Sequence, residues 1–408
     1  MGCTLSGSSH PATQIALEVT KEFAGTPSAT VMGIGRQLDA LNSAYINCLS
    51  SAAHAFDETP LATVIHPTGP IAAPLFALAE RTPPMSGKDF LVALAVGMEV
   101  ECQVGVSMLL PPEKGEVGWY ATGIFGALGA AAAAARALSL SHEQTCWASG
   151  IAGNQASGYR QTHGSMCTSF VPGHAARCGM QAALLAQRGF SSSMSAIEGN
   201  NGFAQLFSNT AHLDSITNNL GKTWEIRSNA FKPYPCGIVI HPAIDAAIAL
   251  HNNSAVSADK IDRVEIEVNP LCLTLCDRPN PLSDQDGQVS LQHWAAVTLL
   301  RGTAGLAEVT PDSIMNSEIV AMRARVHVRA DATIGTDGTR FTLTLHDGTI
   351  LTETITHALG SLEKPMSDDA LADKFLRQAR EVIGELLARC QGIAELDDVA
   401  QLAPMTLA

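Results

Sequence analysis

Between Gly118 and Gly202 the chain sets three runs of Ala, Gly and Leu around two polar turns. Such runs predict helices, and their small residues let backbones approach closely at the centre of a bundle. The turns carry Tyr120, Thr122, His163, Thr168 and His174, polar groups delivered to the ends of buried helices, where an all-helical domain can build a site. The glycine pairs 123/126 and 126/129 suit close helix packing; no G-x-x-x-x-G-K pattern follows, so they do not read as a phosphate loop. Upstream, helical periodicity marks residues 10–25, 37–56, 71–82 and 87–109, with a short extended piece near 26–35 and helix-breaking Pro67 and Pro70. The segment PPEKGEVGWY, 111–120, reads as a loop.

After Ser228 the period changes. Residues 261–269 and 324–330 alternate apolar and polar, as half-buried strands do, and 340–345 with 350–355 flank the hairpin signal Asp347-Gly348. Helical stretches at 241–252, 290–302 and 312–323 lie between them. Residues 367–390 are helical again, with Ser367 as N-cap and acids in the first turn. The predicted fold is mainly α. A large all-helical domain covers 1–228, a smaller α+β lid covers 229–362, and C-terminal helices in 363–408 return to the first domain.

Of the 408 residues, 46% are apolar and only 16% charged, against about 25% in an ordinary soluble chain. So low a charged fraction implies extensive burial and favours a homodimer. The net charge of −14 argues against nucleic acid but allows an anionic substrate held by a few local cations. The ten cysteines include no C-x-x-C pair and lie mostly in apolar helical runs, which reads as a reduced, cytoplasmic protein. The longest apolar run, 123–135, stops at Arg136 and is too short for a bilayer, so no membrane span is expected. The start, Met1 to Ser6, fits an acylation pattern that is short and common by chance. No His-x-His or His-x-x-x-His occurs, and neither a metal nor another cofactor is predicted.

Several stretches, in order along nearly the whole chain, carry a resemblance. They are LSGSS at 5–9, HAFDET at 54–59 with His66-Pro67, GALGAAAAA at 126–134, Ala156-Ser157-Gly158, EGNNGF at 198–203, KPYPC at 232–236 with His241-Pro242, and KPMSD at 364–368. On these the sequence resembles the MmgE/PrpD family, whose activities include 2-methylcitrate dehydration, cis-aconitate decarboxylation and iminodisuccinate epimerisation. The resemblance implies a helical domain closed by C-terminal helices, an α+β lid, a homodimer and no metal or organic cofactor. The family's Asp, His, Lys and His positions are here Ala55, Tyr120, Thr168 and Val171, whereas Asp57, Thr59, His66, Lys232 and His241 match. Against the family the chain begins where the first helix has normally ended, which is expected to mean either a late start or a bundle one helix short.

The family reactions share removal of a proton from a carbon beside a carboxylate, so the site must stabilise charge developing on that group. Lys232, in a Pro-framed loop between the domains, suits this role. His66 suits an acid/base or a donor to a carboxylate. Asp57 and Glu58 at a helix end oppose the macrodipole and call for local partners; Asp57 is read as a base or as the group that orients His66. Thr59, Thr122, Thr168 and His241 are candidate substrate-binding groups, His241 alternatively a helix cap or packing group. Tyr120 is read either as a second base or as a buried phenol with a structural partner. The leading expectation is a hydro-lyase of 2-methylcitrate dehydratase type acting on a small di- or tricarboxylate. An epimerase of iminodisuccinate type and an inactive scaffold or binding homologue are the alternatives.

Overall fold

The computed structural model describes residues 1–82, 84–109, 118–209, 211–218, 220–254, 256–379 and 383–406. The fold is mainly α, with a small α+β part. The bundle is built from α1 (Gly2–Gly7), α2 (Pro11–Glu22), α3 (Ala40–Ala52), α4 (Thr68–Arg81), α5 (Gly87–Leu109), α6 (Ala121–Ala137), α7 (His142–Gly153) and α8 (Cys167–Gln187). Residues 110–117, most of the stretch read as a loop, lie outside the described residues.

Helix α6 is the centre of this bundle. Every residue from Ala121 to Ala135 is buried, so its first four turns meet no water. It packs against α4, α5, α7 and α8, and only small residues permit that. A Cβ on Gly129 would lie 2.8 Å from the Gly97 carbonyl of α5, and one on Gly179 of α8 would lie 2.5 Å from the Ala127 carbonyl of α6. Any larger residue at these points would force the helices apart. Asp39 caps α3 through the amide of Asn42, and Ser141 with Gln144 forms a capping box on α7. Among the described residues α5 is long and apolar enough to cross a membrane, longer than the run expected to be limiting, yet 61% of its most apolar window is buried inside the bundle.

The second core lies under a four-stranded sheet in the order Val326–Ala330, Ile261–Val268, Thr339–Leu345, Ile350–Ile355. The first pair is parallel and the other two are antiparallel. The parallel pair needs a crossover, supplied in part by Leu291–Arg301 and Ser317–Arg323, and Trp294 and Phe341 are fully buried beneath the sheet. The hairpin turns at Asp347-Gly348, with Gly348 at φ 85°. The chain then returns to the bundle. Ser367 caps Asp368–Ala379 through the Ala370 amide, and Leu386, Val399, Leu402 and Ala403 join the bundle core.

Candidate active site

A short backbone pairing brings the two halves of the chain together. Thr59 and Pro60 pair antiparallel with Ala230 and Asn229. This sets Lys232, two residues beyond Ala230, against the turn that follows α3. Its Nζ donates to the Ala55 carbonyl at 3.0 Å and lies 3.8 Å from Asp57 Oδ1. Lys232 is 2% exposed and Asp57 7%. At that separation the attraction is about 4 kcal/mol for an effective dielectric of 20. Each ion gives up several kcal/mol of hydration on burial, so the pair holds two charges in place without adding much net stability. The turn itself is strained: Ala55 sits at φ 49° and Val64 at φ 54°, both in the left-handed region. That costs about 1–2 kcal/mol per residue, and for β-branched Val64 it is a genuine outlier.

His66 stands on the same carboxylate, with Nδ1 3.8 Å from Asp57 Oδ1. The same nitrogen lies 2.8 Å from the Glu58 carbonyl. A carbonyl only accepts, so Nδ1 carries the proton and Nε2 is left with the lone pair. Burial lowers the His66 pKa, and Lys232 adds to this, while Asp57 and the Glu58 carbonyl oppose it. The partners that the acids at the helix end require are thus found locally. Asp57 takes His66 and Lys232, while Glu58 accepts from the Thr68 amide and caps α4, whose Pro67 offers no side-chain cap.

Tyr120 precedes α6, and its backbone amide donates to the Gly158 carbonyl. A bridge between Trp119 and Tyr159 joins the two turns. The Tyr120 hydroxyl donates to the Thr168 carbonyl at 3.3 Å, and its ring meets His163 edge-on at 4.4 Å between centroids. Burial, reinforced by Asp57, raises the phenol above its ordinary value. Burial and then Arg160 push His163 down to about 3, so its ring is neutral near pH 7. The hydroxyl of Thr168 accepts from the Gly164 amide at 3.2 Å.

These groups line one solvent-open cleft, ≈ 590 Å³ when the open space at its mouth is included. Of the residues singled out in the sequence, Asp57, His66, Tyr120, His163, Thr168 and Lys232 line it; Thr59, Thr122 and His241 stand behind the lining. The Thr59 hydroxyl donates to the Ile65 carbonyl at 2.6 Å, and the Thr122 hydroxyl accepts from the His66 amide at 3.0 Å, so both hold the loop that carries His66. His241 is buried against the Tyr234 ring, its Nε2 has no partner among the described residues, and burial with Lys232 nearby lowers its pKa strongly. Arg160, which the sequence did not single out, lines the cleft as well. The sequence reading also missed Lys374, whose Nζ donates to the Phe56 carbonyl at 2.8 Å and sits 4.1 Å over the Phe56 ring. Two lysines therefore hold successive carbonyls of the turn leading to Asp57. The α+β part contributes Ile238, Val239, Leu275, Cys276 and Val289, an apolar wall apart from a thiol that burial pushes up to about 12.

Away from the cleft, Asp337, His357 and Glu363 bring three ligand atoms within 4.8 Å of one another, a spacing that suits a cation. His357 Nδ1 already lies 2.8 Å from Asp337, which raises its pKa.

The comparisons agree with this architecture. The MmgE/PrpD N-terminal domain model matches residues 1–215 and the C-terminal domain model matches residues 234–398. The chain is 26% identical to a cis-aconitate decarboxylase of Mus musculus over 94% of this chain and 82% of that protein. It is 25% identical to one of Homo sapiens, covering 99% and 87%. A third, from Aspergillus terreus, is 24% identical over 99% and 88%. With both family domains matched in order along most of its length, this chain belongs to the MmgE/PrpD family.

Proposed function

We propose that the cleft is the active site of a lyase that takes a proton from a carbon beside a carboxylate of a small di- or tricarboxylate, with loss of water as the leading reaction. The observation that carries this is the arrangement of His66 Nδ1 and Lys232 Nζ, each 3.8 Å from Asp57 Oδ1 on one cleft wall. His66 is the base: its Nδ1–H is engaged by the Glu58 carbonyl, Nε2 takes the proton, and Asp57 steadies the imidazolium that results. Lys232 holds the substrate carboxylate as negative charge develops on it. The C–H electron pair becomes the C=C bond, the C–O bond breaks, and the hydroxide leaves with the proton of Tyr120. Burial keeps that phenol protonated until then. Thr168 offers its hydroxyl to the substrate, and His241 supports Lys232 from behind.

A second reading is decarboxylation, in which a C–C bond breaks to release carbon dioxide and the carbanion is reprotonated. The relatives' names favour it, as does the apolar lid wall of Ile238, Val239, Leu275 and Val289, where loss of a charged carboxylate is helped. Epimerisation is less well supported, because a second base would have to be Tyr120, whose pKa is raised. The proposed enzyme works as a cytoplasmic homodimer. Its ten unpaired cysteines and exposed Phe23, Phe170, Phe190 and Leu206 support that.

Proton NMR with citrate, 2-methylcitrate, cis-aconitate, malate and iminodisuccinate tests these readings. A new vinyl signal with all carbons retained is the expected result. A vinyl product short of one carbon selects decarboxylation. Turnover of none of them contradicts the proposal.

A further inference from the structure

Among the described residues, Arg160 is the cation of the cleft without an answering group. Among the described residues no carboxylate lies within ion-pair distance of it, and its Nε is buried without a partner. Nε2 of His163, on the same lining, is also buried and unpartnered. The neighbouring cations are engaged: Lys232 by Asp57 and the Ala55 carbonyl, Arg278 by Asp286 at 3.6 Å, and Lys374 by the Phe56 carbonyl. The position of Arg160 is fixed by its backbone. Its amide donates to the Gly118 carbonyl at 2.9 Å, its carbonyl accepts from the His163 amide at 2.9 Å, and Tyr159 bridges Trp119.

A guanidinium held in place, part-buried and without a counter-ion among the described residues, lowers the stability of the empty protein. An apolar side chain would pack there at no such cost. An anion entering the cleft offsets the loss. The planar fork of arginine matches a carboxylate through two parallel hydrogen bonds, which a lysine cannot do. Resting on the lyase reading above, we propose that Arg160, backed by His163, is a second carboxylate anchor, so that the substrate carries one carboxylate on Lys232 and another on Arg160. A monocarboxylate held at Lys232 leaves Arg160 unanswered, and the cleft selects against it.

Calorimetric binding of maleate, succinate and acrylate to the full chain tests this, together with the KM of whichever acid turns over. In Arg160→Gln both dicarboxylates bind at least ten-fold more weakly, acrylate changes less than two-fold, and KM rises more than kcat falls. Arg160→Lys recovers part of the dicarboxylate affinity. Thermal melting separates this from a structural role, because Arg160→Gln removes an unanswered charge and melts at or above the parent temperature. If Arg160→Gln does not fold, Arg160→Lys carries the test through a selective loss of dicarboxylate over acrylate binding. Unchanged dicarboxylate affinity and KM in a folded Arg160→Gln overturn the anchor and leave the lyase reading standing. Dicarboxylate binding that depends on Arg160, with no turnover by the parent, supports the anchor and overturns the lyase reading. No binding of either dicarboxylate by the parent overturns the anchor.

Discussion

The ammonium of Lys232 stands 3.8 Å from the carboxylate of Asp57 because Ala230 pairs with Thr59. Two residues of antiparallel backbone carry a lysine from the segment after Ala230 into the wall of the helical bundle. The site is therefore shared between the two cores, and its chemistry depends on their staying in register.

Breaking this pair has a signature. Lys232→Met leaves Asp57 buried with an imidazole as its remaining partner, and stability falls by about 3–5 kcal/mol. Turnover falls by about 10²–10³-fold as the developing charge loses its cation. Adding Asp57→Asn removes the stranded charge, so the double variant regains much of the stability and none of the turnover. Urea denaturation and kcat on the same preparations check both halves.

The acid limb of the pH–rate profile belongs to His66. Burial holds its pKa below the ordinary value of about 6.5, so the ring is neutral at pH 7 and able to take a proton. Turnover is flat above that value and declines as pH falls through the lowered pKa. In His66→Gln the residual rate is small and the limb is gone. A limb centred above 6.5 contradicts the assignment.

Tyr120→Phe separates an acid from a second base. With the phenol as proton donor to the leaving hydroxyl, turnover drops by about 10²-fold while exchange of the substrate's α-proton with solvent persists. Loss of exchange itself identifies the phenol as a base.

Stability also depends on pH through buried neutral histidines. His293, whose Nε2 donates to the Glu308 carbonyl beside the second core, is pushed by burial down to about 4, and His163 to about 3. For each, the folded pKa lies below the unfolded one, so its contribution is full above about pH 6.5. That contribution is lost as pH falls toward the folded value, at about 1.4 kcal/mol per unit. His293→Gln flattens the fall in stability between pH 6.5 and 4.5 by up to that slope and leaves kcat unchanged, since His293 lies outside the cleft.

The left-handed conformation of Ala55 is a separate handle. Glycine adopts φ 49° without a Cβ penalty, so Ala55→Gly stabilises by roughly 1 kcal/mol, less what the looser unfolded chain takes back. The melting temperature rises while the Lys232 hydrogen bond to the residue-55 carbonyl is kept.

What the sequence made legible is what depends on local pattern. Helix α6 was readable because small apolar residues run around its whole circumference, and the Asp347-Gly348 hairpin because its turn needs those residues. Lys232 and His66 stood out through their prolines. Arg160 did not, because what makes it special is the Trp119–Tyr159 bridge and the absence of a counter-ion among the described residues, neither visible in a single arginine after a turn. Thr59 and Thr122 were read as substrate-binding groups. Their hydroxyls are instead engaged by the loop from Ile65 to His66, a use set by the fold of that loop. The strain at Ala55 and Val64 left no trace in residue type, since neither is a residue that favours positive φ.

The central claim is that His66, steadied by Asp57, removes a proton beside a carboxylate held by Lys232. Deuterium incorporation tests it most directly, followed by NMR in deuterated buffer on the acid that turns over, for the parent and for His66→Gln. Exchange at the carbon next to the carboxylate is expected in the parent, and its loss in the variant. Exchange that continues undiminished in a folded His66→Gln contradicts the claim.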